Sequence, residues 1–395
     1  MRLRSLLLSI ATLAIAPSAF AADPVFDQRV LHETRIEMDP ADWQALRENF
    51  RTNQYYAANM SFDGEVVEQV GVRSRGKGSR DENKPGLRID FNRYGRDLEF
   101  HGMKSLVLDN EIQDSSLLRE VLAYAVFQAM GIEAPQIAYA RVTVNGEYWG
   151  VYAQTEDLRK SFLKERFGSD DDGNLFKYEW AGAWDFSWRG EDPGLYIPEP
   201  FEPHTNEDTL DATELIDFIR SINETPDETF LAQIANYIDI RKFLTYVAVE
   251  NALAESDGVL GDQGMNNFYV YQSEDSSRFT FIPWDKDNSF QLAEWPLLRG
   301  VESNLLVRRL LSDDALRQFY TDEVRRAVAQ YVTRGWLLPR MEANYRLIRE
   351  AAIIDTRKPQ SNDGFELSVE GLRGIIEGRA ADVAQQLRWA APRRP

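Results

Sequence analysis

The chain has 395 residues, 43% of them apolar and 12% aromatic, which suffices for one large core or two smaller ones and excludes a disordered polymer. Its formal charge is −19, so binding to DNA, RNA or anionic lipid, each of which repels such a surface, is not expected. It has no cysteine, which excludes disulfides and thiolate chemistry.

The first 21 residues read as a signal peptide. Arg2 and Arg4 form a basic start, Leu6–Ala16 is apolar, and Ala19-Phe20-Ala21 is an A-x-A cleavage site. No later stretch approaches the ~20 apolar residues of a membrane span. The expected mature protein is exported, periplasmic or secreted, with no transmembrane segment after cleavage.

From Asp23 to about Asp109 the signals are mostly β. Val30–Met38 leads into a short helix over Asp39–Asn49, with Asp39 as N-cap. Tyr55–Phe62 and Glu65–Val72 flank Asp63-Gly64, a hairpin turn. The basic, glycine-containing run RSRGKGSR (Arg73–Arg80) follows, then strand-like GLRIDF (Gly86–Phe91) and Lys104–Leu108. The spacing of Leu118, Val121, Leu122 and Ala125 predicts a helix over Asp114–Met130, capped by Asp114 and ended by Gly131. Gln136–Val144 and Tyr148–Gln154 form a second hairpin around Asn145-Gly146.

After Glu156 the pattern turns helical. Leu158–Phe167 is a helix and Trp180–Pro203 an aperiodic loop. Ala212–Asn223, Asp227–Ile234, Asp239–Leu253, Leu305–Leu311, Asp314–Tyr331, Leu337–Ile354 and Ser368–Ala390 are mostly helical. Between them Asn267–Gln272 and Arg278–Trp284 read as a hairpin. The fold class is thus α+β, with a β-rich part over 22–155 and a helix-rich part over 156–395.

The chemistry centres on Ala254–Phe290. A loop carrying Asp257 and Asn267 enters the hairpin, and Asp285 and Asp287 leave it. Hard oxygen ligands at strand ends suit Mg²⁺ or Mn²⁺ and a phosphate-bearing substrate. Asp257, on a glycine-containing loop after an apolar helix, could orient an attacking hydroxyl and accept its proton. This order of loop aspartate, asparagine, hairpin and aspartate is the layout of protein kinases, without their H-R-D and D-F-G signatures. Gly76 and Gly78, amid four basic residues, make either a phosphate-wrapping loop or a solvated basic turn. Lys84 stands where a lysine could reach phosphate oxygens. Glu120 is either its helix partner or a surface carboxylate. Lys177 either reaches the cleft or is a surface lysine. The Asp170–Asn174 run is an acidic turn, because it lacks the ligand spacing of a Ca²⁺ loop. His32, His101 and His204 fit no zinc pattern.

Several blocks carry a resemblance: VRSRGKGSR…NKPGLRIDF, HGMKSLVLDNEIQDSSLLREVLAYAVFQAMG, VNGEYWGVYAQTED, GNLFKYE, AESDGVLGDQGMNNFYVY and FIPWDKDNSF. Over roughly residues 30–350 the chain resembles the spore-coat protein H (CotH) family of atypical, secreted kinases. The resemblance implies a two-lobed, protein-kinase-like fold with a β-rich N-lobe and a helical C-lobe. ATP would lie between the lobes, and its γ-phosphoryl group would pass to a protein Ser/Thr. It further implies Asp257 as the catalytic-loop aspartate and Asp285 as the metal aspartate, with Asn267 and Asp287 nearby. Lys84 would be the phosphate-binding lysine, with Arg75, Gly76, Gly78 and Arg119 around the nucleotide and Tyr152–Glu156 as the hinge beside the adenine. Two positions depart from the family pattern. Asn266 replaces a basic residue or histidine, and Asn83-Lys84-Pro85 carries one lysine where the family has two. A non-catalytic envelope scaffold, and AMP or glutamyl transfer on the same fold, are the competing expectations.

Overall fold

The computed structural model describes residues 23–95, 98–331 and 335–390; the expected signal peptide over residues 1–21 lies outside them. Seven strands close into a barrel: β1 (Leu31–Met38), β2 (Tyr56–Phe62), β3 (Glu65–Arg75), β4 (Gly86–Asp90), β5 (Ser105–Asp109), β6 (Ile137–Val144) and β7 (Glu147–Glu156). Their order is β1-β2-β3-β4-β5-β7-β6, and β1 closes the ring by pairing parallel to β6, with Thr34 opposite Val142. Alternation fills the inside: Ile36, Met60, Val72, Leu87, Ile89, Leu106, Leu108 and Val142 form one core. The two predicted turns hold. Phe62 pairs with Glu65 across Asp63-Gly64, and Val144 with Glu147 across Asn145-Gly146.

Strand β5 is buried on both faces. Leu106 and Leu108 point into the barrel, while Val107 points outward onto Tyr269 and Trp284 of a second sheet. That sheet contains β8 (Asn174–Tyr178), β9 (Phe201–Pro203), β10 (Phe268–Gln272) and β11 (Phe279–Pro283), in the order β11-β10-β8-β9. Phe268 opposite Pro283 fixes the expected central hairpin. Strands β8 and β9 were not expected. Each is short and lacks a period-2 signature, and β9 sits inside the aromatic stretch read as a loop.

The helices are α1 (Pro40–Glu48), α2 (Arg119–Ala129), α3 (Lys160–Phe167), α4 (Thr213–Glu224), α5 (Asp227–Ile234), α6 (Ile240–Ala252), α7 (Leu305–Leu310), α8 (Asp314–Tyr331), α9 (Leu337–Ile354) and α10 (Asn362–Ala390). Asp39 caps α1 as expected, its carboxylate accepting from the Ala41 N–H at 2.8 Å. Helix α2 begins five residues later than its apolar spacing suggests. Asp114 first caps a turn through Ser116 and then accepts the N–H groups of Leu118 and Arg119 at 2.7 and 2.8 Å. Its carboxylate therefore serves the helix from outside it. α2 is buried nearly all round and belongs to the same large core as α6, α8 and α9.

One buried ion pair ties the barrel to the C-terminal helices. Lys84, just before β4, is fully buried, and its Nζ donates to Asp355 Oδ2 at 2.8 Å and to the Val151 carbonyl at 2.9 Å. Asp355 ends α9 and also accepts the Val151 N–H at 3.2 Å. Asp355→Ala would strand a buried ammonium, which costs about 3–5 kcal/mol. Urea unfolding is expected to show a loss of unfolding free energy of that size, and a loss under ~1 kcal/mol would mean the pair does not hold the two parts together.

Candidate functional site

The site is built where β3, β5, α2 and the exit of β11 meet. Arg75 and Asp109 end their strands pointing out of the barrel, because Val72 and Leu108 take the inward positions. Gly86 pairs with Arg75 and lies between the two strands; with no side chain there, the guanidinium reaches the Asp109 carboxylate across β4 and the two form an ion pair. The guanidinium also lies 5.6 Å from the Trp284 ring centroid. Burial opposes its charge, but Asp109, Asp285 and Glu120 outweigh burial and hold it firmly protonated.

Glu120 is buried in the first turn of α2 and accepts from Tyr124 Oη, one turn on, at 2.7 Å. The same hydroxyl receives the Asp285 backbone N–H at 2.9 Å. Burial, then Asp109 and Asp285, push Glu120 up to about 8. Asp285 is pushed up to about 6, by burial and then Asp109, with Arg75 and Lys177 opposing and Asp257 adding. Asp287 is buried and driven well above the carboxylate range by burial and by Asp285. Glu111 is driven up by burial and then Glu120, and its Oε2 is buried without a hydrogen-bond partner. The donor set is thus all oxygen and short of positive charge, which is the chemistry of a hard divalent cation. No three of these groups, among the described residues, stand close enough together to hold one without moving.

Lys286, between the two aspartates, turns the other way. It is fully buried and donates to Glu250 Oε1 on α6 at 2.9 Å. Glu250 Oε2 accepts the Val259 N–H at 2.9 Å, so one carboxylate fixes both the Asp285–Asp287 segment and the loop that carries Asp257. Gly258 makes this possible, since a Cβ there would lie 2.2 Å from Glu250 Oε1. Asp257 accepts from Asn266 Nδ2 at 3.1 and 3.2 Å and from Asn267 Nδ2 at 2.9 Å. Burial raises its pKa against these bonds. Asn267 and Asp285, both at the root of the hairpin, are left-handed, with φ of 55° and 53°. Such strain is retained where surrounding structure enforces it, often at functional sites.

The structure brings together Arg75, Asp257, Asn267, Asp285 and Asp287, together with Glu120 and Asp109. Lys84 is not among them: its ammonium is held by Asp355, so it pairs neither with Glu120 nor with the aspartates. Glu120 is correspondingly not a surface carboxylate. Tyr152 lies in the barrel core with its hydroxyl on the Pro85 carbonyl at 3.1 Å. Glu156 is buried at the end of β7, ion-paired with Arg166 at 2.9 Å. Arg119 sits 3.5 Å from Asp114. The basic loop divides its work. Arg73 and Arg80 brace it onto Asn53 and the Phe50 and Thr52 carbonyls. Arg75 faces the carboxylates, and Lys77 reaches Glu179 at 3.2 Å. Gly76 takes a left-handed φ of 102°, and a side chain at Gly78 would meet open space. Sequence reasoning missed Asp109, Glu111 and Glu250. A lone carboxylate directly after the apolar run Leu106–Leu108 of β5 could have marked the first. An open hollow of about 520 Å³ between α4 and α5 shares none of these residues.

The family model described as CotH kinase protein matches residues 72–383, a span that takes in every residue of this cluster. The chain belongs to the CotH kinase family. The inner spore coat protein H of Bacillus subtilis (strain 168) is 24% identical over 362 residues, 88% of this chain and 94% of that one. The invasin CotH2 of Rhizopus delemar is 25% identical over 45% of this chain and 30% of its own length. Among solved structures, the Helicobacter pylori proinflammatory kinase CtkA superposes loosely, with a TM-score of 0.31 and 9% identity over 76% of this chain and 94% of that one.

The crowding has a pH signature in this CotH-family chain. Glu120, pushed to about 8, and Glu255, pushed to about 7 mainly by burial, hold protons in the fold that the unfolded chain releases near 4.5. Their contribution to stability is complete below that value and is lost as pH rises through 7 and 8. Urea midpoints of the metal-free protein are therefore expected to fall between about pH 5 and about pH 8. Glu120→Gln, neutral throughout, should remove part of that fall, up to about 1.4 kcal/mol per pH unit; an unchanged slope would mean that Glu120 is not protonated in the fold.

Proposed function

We propose that this CotH-family chain is an exported, kinase-like phosphotransferase that moves the γ-phosphoryl group of ATP to a protein Ser/Thr hydroxyl, with Mg²⁺ or Mn²⁺. One observation carries the reading. Buried Asp285 feels both Arg75 of the barrel and Asp257 of the loop before the hairpin, so that a candidate phosphate-binding cation, a candidate metal-binding carboxylate and a candidate base lie within reach of one another. The same arrangement supports two kinase-like lobes, the barrel above and the helical part below, with the nucleotide between them.

Asp285 and Asp287, with the Asn267 carboxamide nearby, are the groups that would hold the metal. When bound, it would neutralise phosphate oxygens and the surplus of carboxylates around them. Arg75 offers a planar, permanently charged donor to phosphate oxygens, a role the sequence had given to Lys84. Asp257, raised by burial and oriented by two carboxamides, aligns the acceptor hydroxyl and takes its proton. The acceptor oxygen bonds to the γ-phosphorus as the bond to the bridging oxygen breaks, and ADP leaves with the electron pair. Asn266 keeps Asp257 pointed at the acceptor by donating to both its oxygens.

Export is supported by the basic-apolar-small order of residues 1–21 and by the coat and invasin names of the relatives. A non-catalytic scaffold is the second reading, and it draws on the absence of a ready metal trio among the described residues.

Incubation with ATP and metal, read by intact mass, separates these readings. A gain of about one phosphate on an acceptor or on the chain itself, absent in Asp285→Ala and reduced about 10²–10⁴-fold in Asp257→Asn, is the expected result. A nucleotide-sized adduct would point to AMP transfer, a glutamate-sized one to glutamylation. Asp285→Ala transferring as fast as wild type would defeat the assignment.

A further inference from the structure

Lys177 lies in the second sheet on β8, opposite Tyr269 of β10 and Glu202 of β9. Tyr269 meets Trp284 edge-on, with ring centroids 5.5 Å apart, and Arg75 approaches Trp284 from the barrel. Lys177 and Arg75 therefore reach the same aromatic pair from opposite walls. The Lys177 ammonium forms an ion pair with Glu179, two residues on. Lys77, from the glycine-containing loop of the barrel, takes the other oxygen of the same carboxylate at 3.2 Å. Two lysines from facing parts of the molecule thus converge on one small anion. Glu179 is largely shielded, at 17% exposure, whereas Lys77 is 61% exposed. The charge of Lys177 also bears on Asp285.

We propose that Lys177 and Lys77 clamp the terminal phosphate of the nucleotide, and that Glu179 is the internal anion that holds the clamp until the phosphate displaces it. The inference rests on the nucleotide reading given above and assigns two further phosphate ligands to that site. Arg75, Asp257 and Lys177 all act on Asp285. Lys177 and Lys77 meet at Glu179, where the second sheet faces the glycine-containing loop of the barrel. A lysine suits this place because its ammonium is a compact charge on a flexible stem, able to leave one anion for another. A phosphate carries more charge than the carboxylate and offers three oxygens to two ammonium groups. The same contact makes Glu179 a built-in competitor, which sets a lower bound on the nucleotide charge that can enter.

Calorimetric binding of ATP and of ADP, each with excess Mg²⁺, tests this without turnover. Lys177→Met is expected to weaken ATP by about tenfold or more while ADP, which lacks the terminal phosphate, keeps its affinity and so reports an intact fold. Lys177→Arg should recover most of the loss, and Glu179→Gln should tighten ATP severalfold but not ADP. Equal losses for both nucleotides, or unchanged ATP binding in Lys177→Met, would overturn the clamp. Unchanged ATP binding in Glu179→Gln would overturn the competitor role. Wild type that binds neither nucleotide would overturn the phosphotransferase reading itself, whereas wild type that binds both, with Lys177→Met indistinguishable from it, removes only the clamp.

Discussion

Too many carboxylates around too little positive charge is the constraint from which the rest of the site follows. Asp109, Glu111, Asp114, Glu120, Asp285 and Asp287 share a small, mostly buried volume, where burial and the neighbouring carboxylate charges push Glu111, Glu120, Asp285 and Asp287 upward. Arg75 is the cation that faces three of them. Burial alone would expel these charges. The fold keeps them by protonating some, pairing one with Arg75, and tying Glu120 to Asp285 through the Tyr124 hydroxyl. A bound divalent cation would relieve the same strain, which links the electrostatics to the proposed chemistry without asking for a different architecture.

The scaffold enforces this crowding from both sides. The closed barrel sets the outward direction of Arg75 and Asp109 by strand alternation. On the other side, Lys286 is driven between Glu250 and Glu255, so the two aspartates flanking it must face away from α6. Glu250 then ties the Asp257 loop to the same anchor. The Asp257 loop and the Asp285–Asp287 segment therefore share one anchor, a coupling that the proposed in-line transfer would use.

Sequence patterns made parts of this visible for local reasons. Asp63-Gly64 and Asn145-Gly146 carry their turn geometry in two residues, and Asp39 caps α1 from one position away. The Asp257–Asn267–Asp285 order was readable because a hairpin brings its two ends together by construction. What stayed hidden depended on distant partners. Lys84 looks like a phosphate ligand until Asp355, 271 residues away, is seen to hold it. Glu120 looks like a surface residue because α2 has ordinary amphipathic spacing, yet α2 is packed on every side. Strands β8 and β9 were obscured because a strand of three to five residues has too few positions to show a period.

The Lys84–Asp355 pair also orders events in time. A chain made from its N-terminus outward exposes all seven barrel strands long before residue 355 exists, so Lys84 must wait with its ammonium in water while β4 and β7 find each other. The barrel that forms first is consequently a looser object than the finished one, sealed only when the turn after α9 arrives and brings Asp355 against Val151. The last stretch of the polypeptide thus acts as the closing rivet of its first-made part, and a nascent chain cut short before that turn would carry a barrel with an unfilled, charged seam.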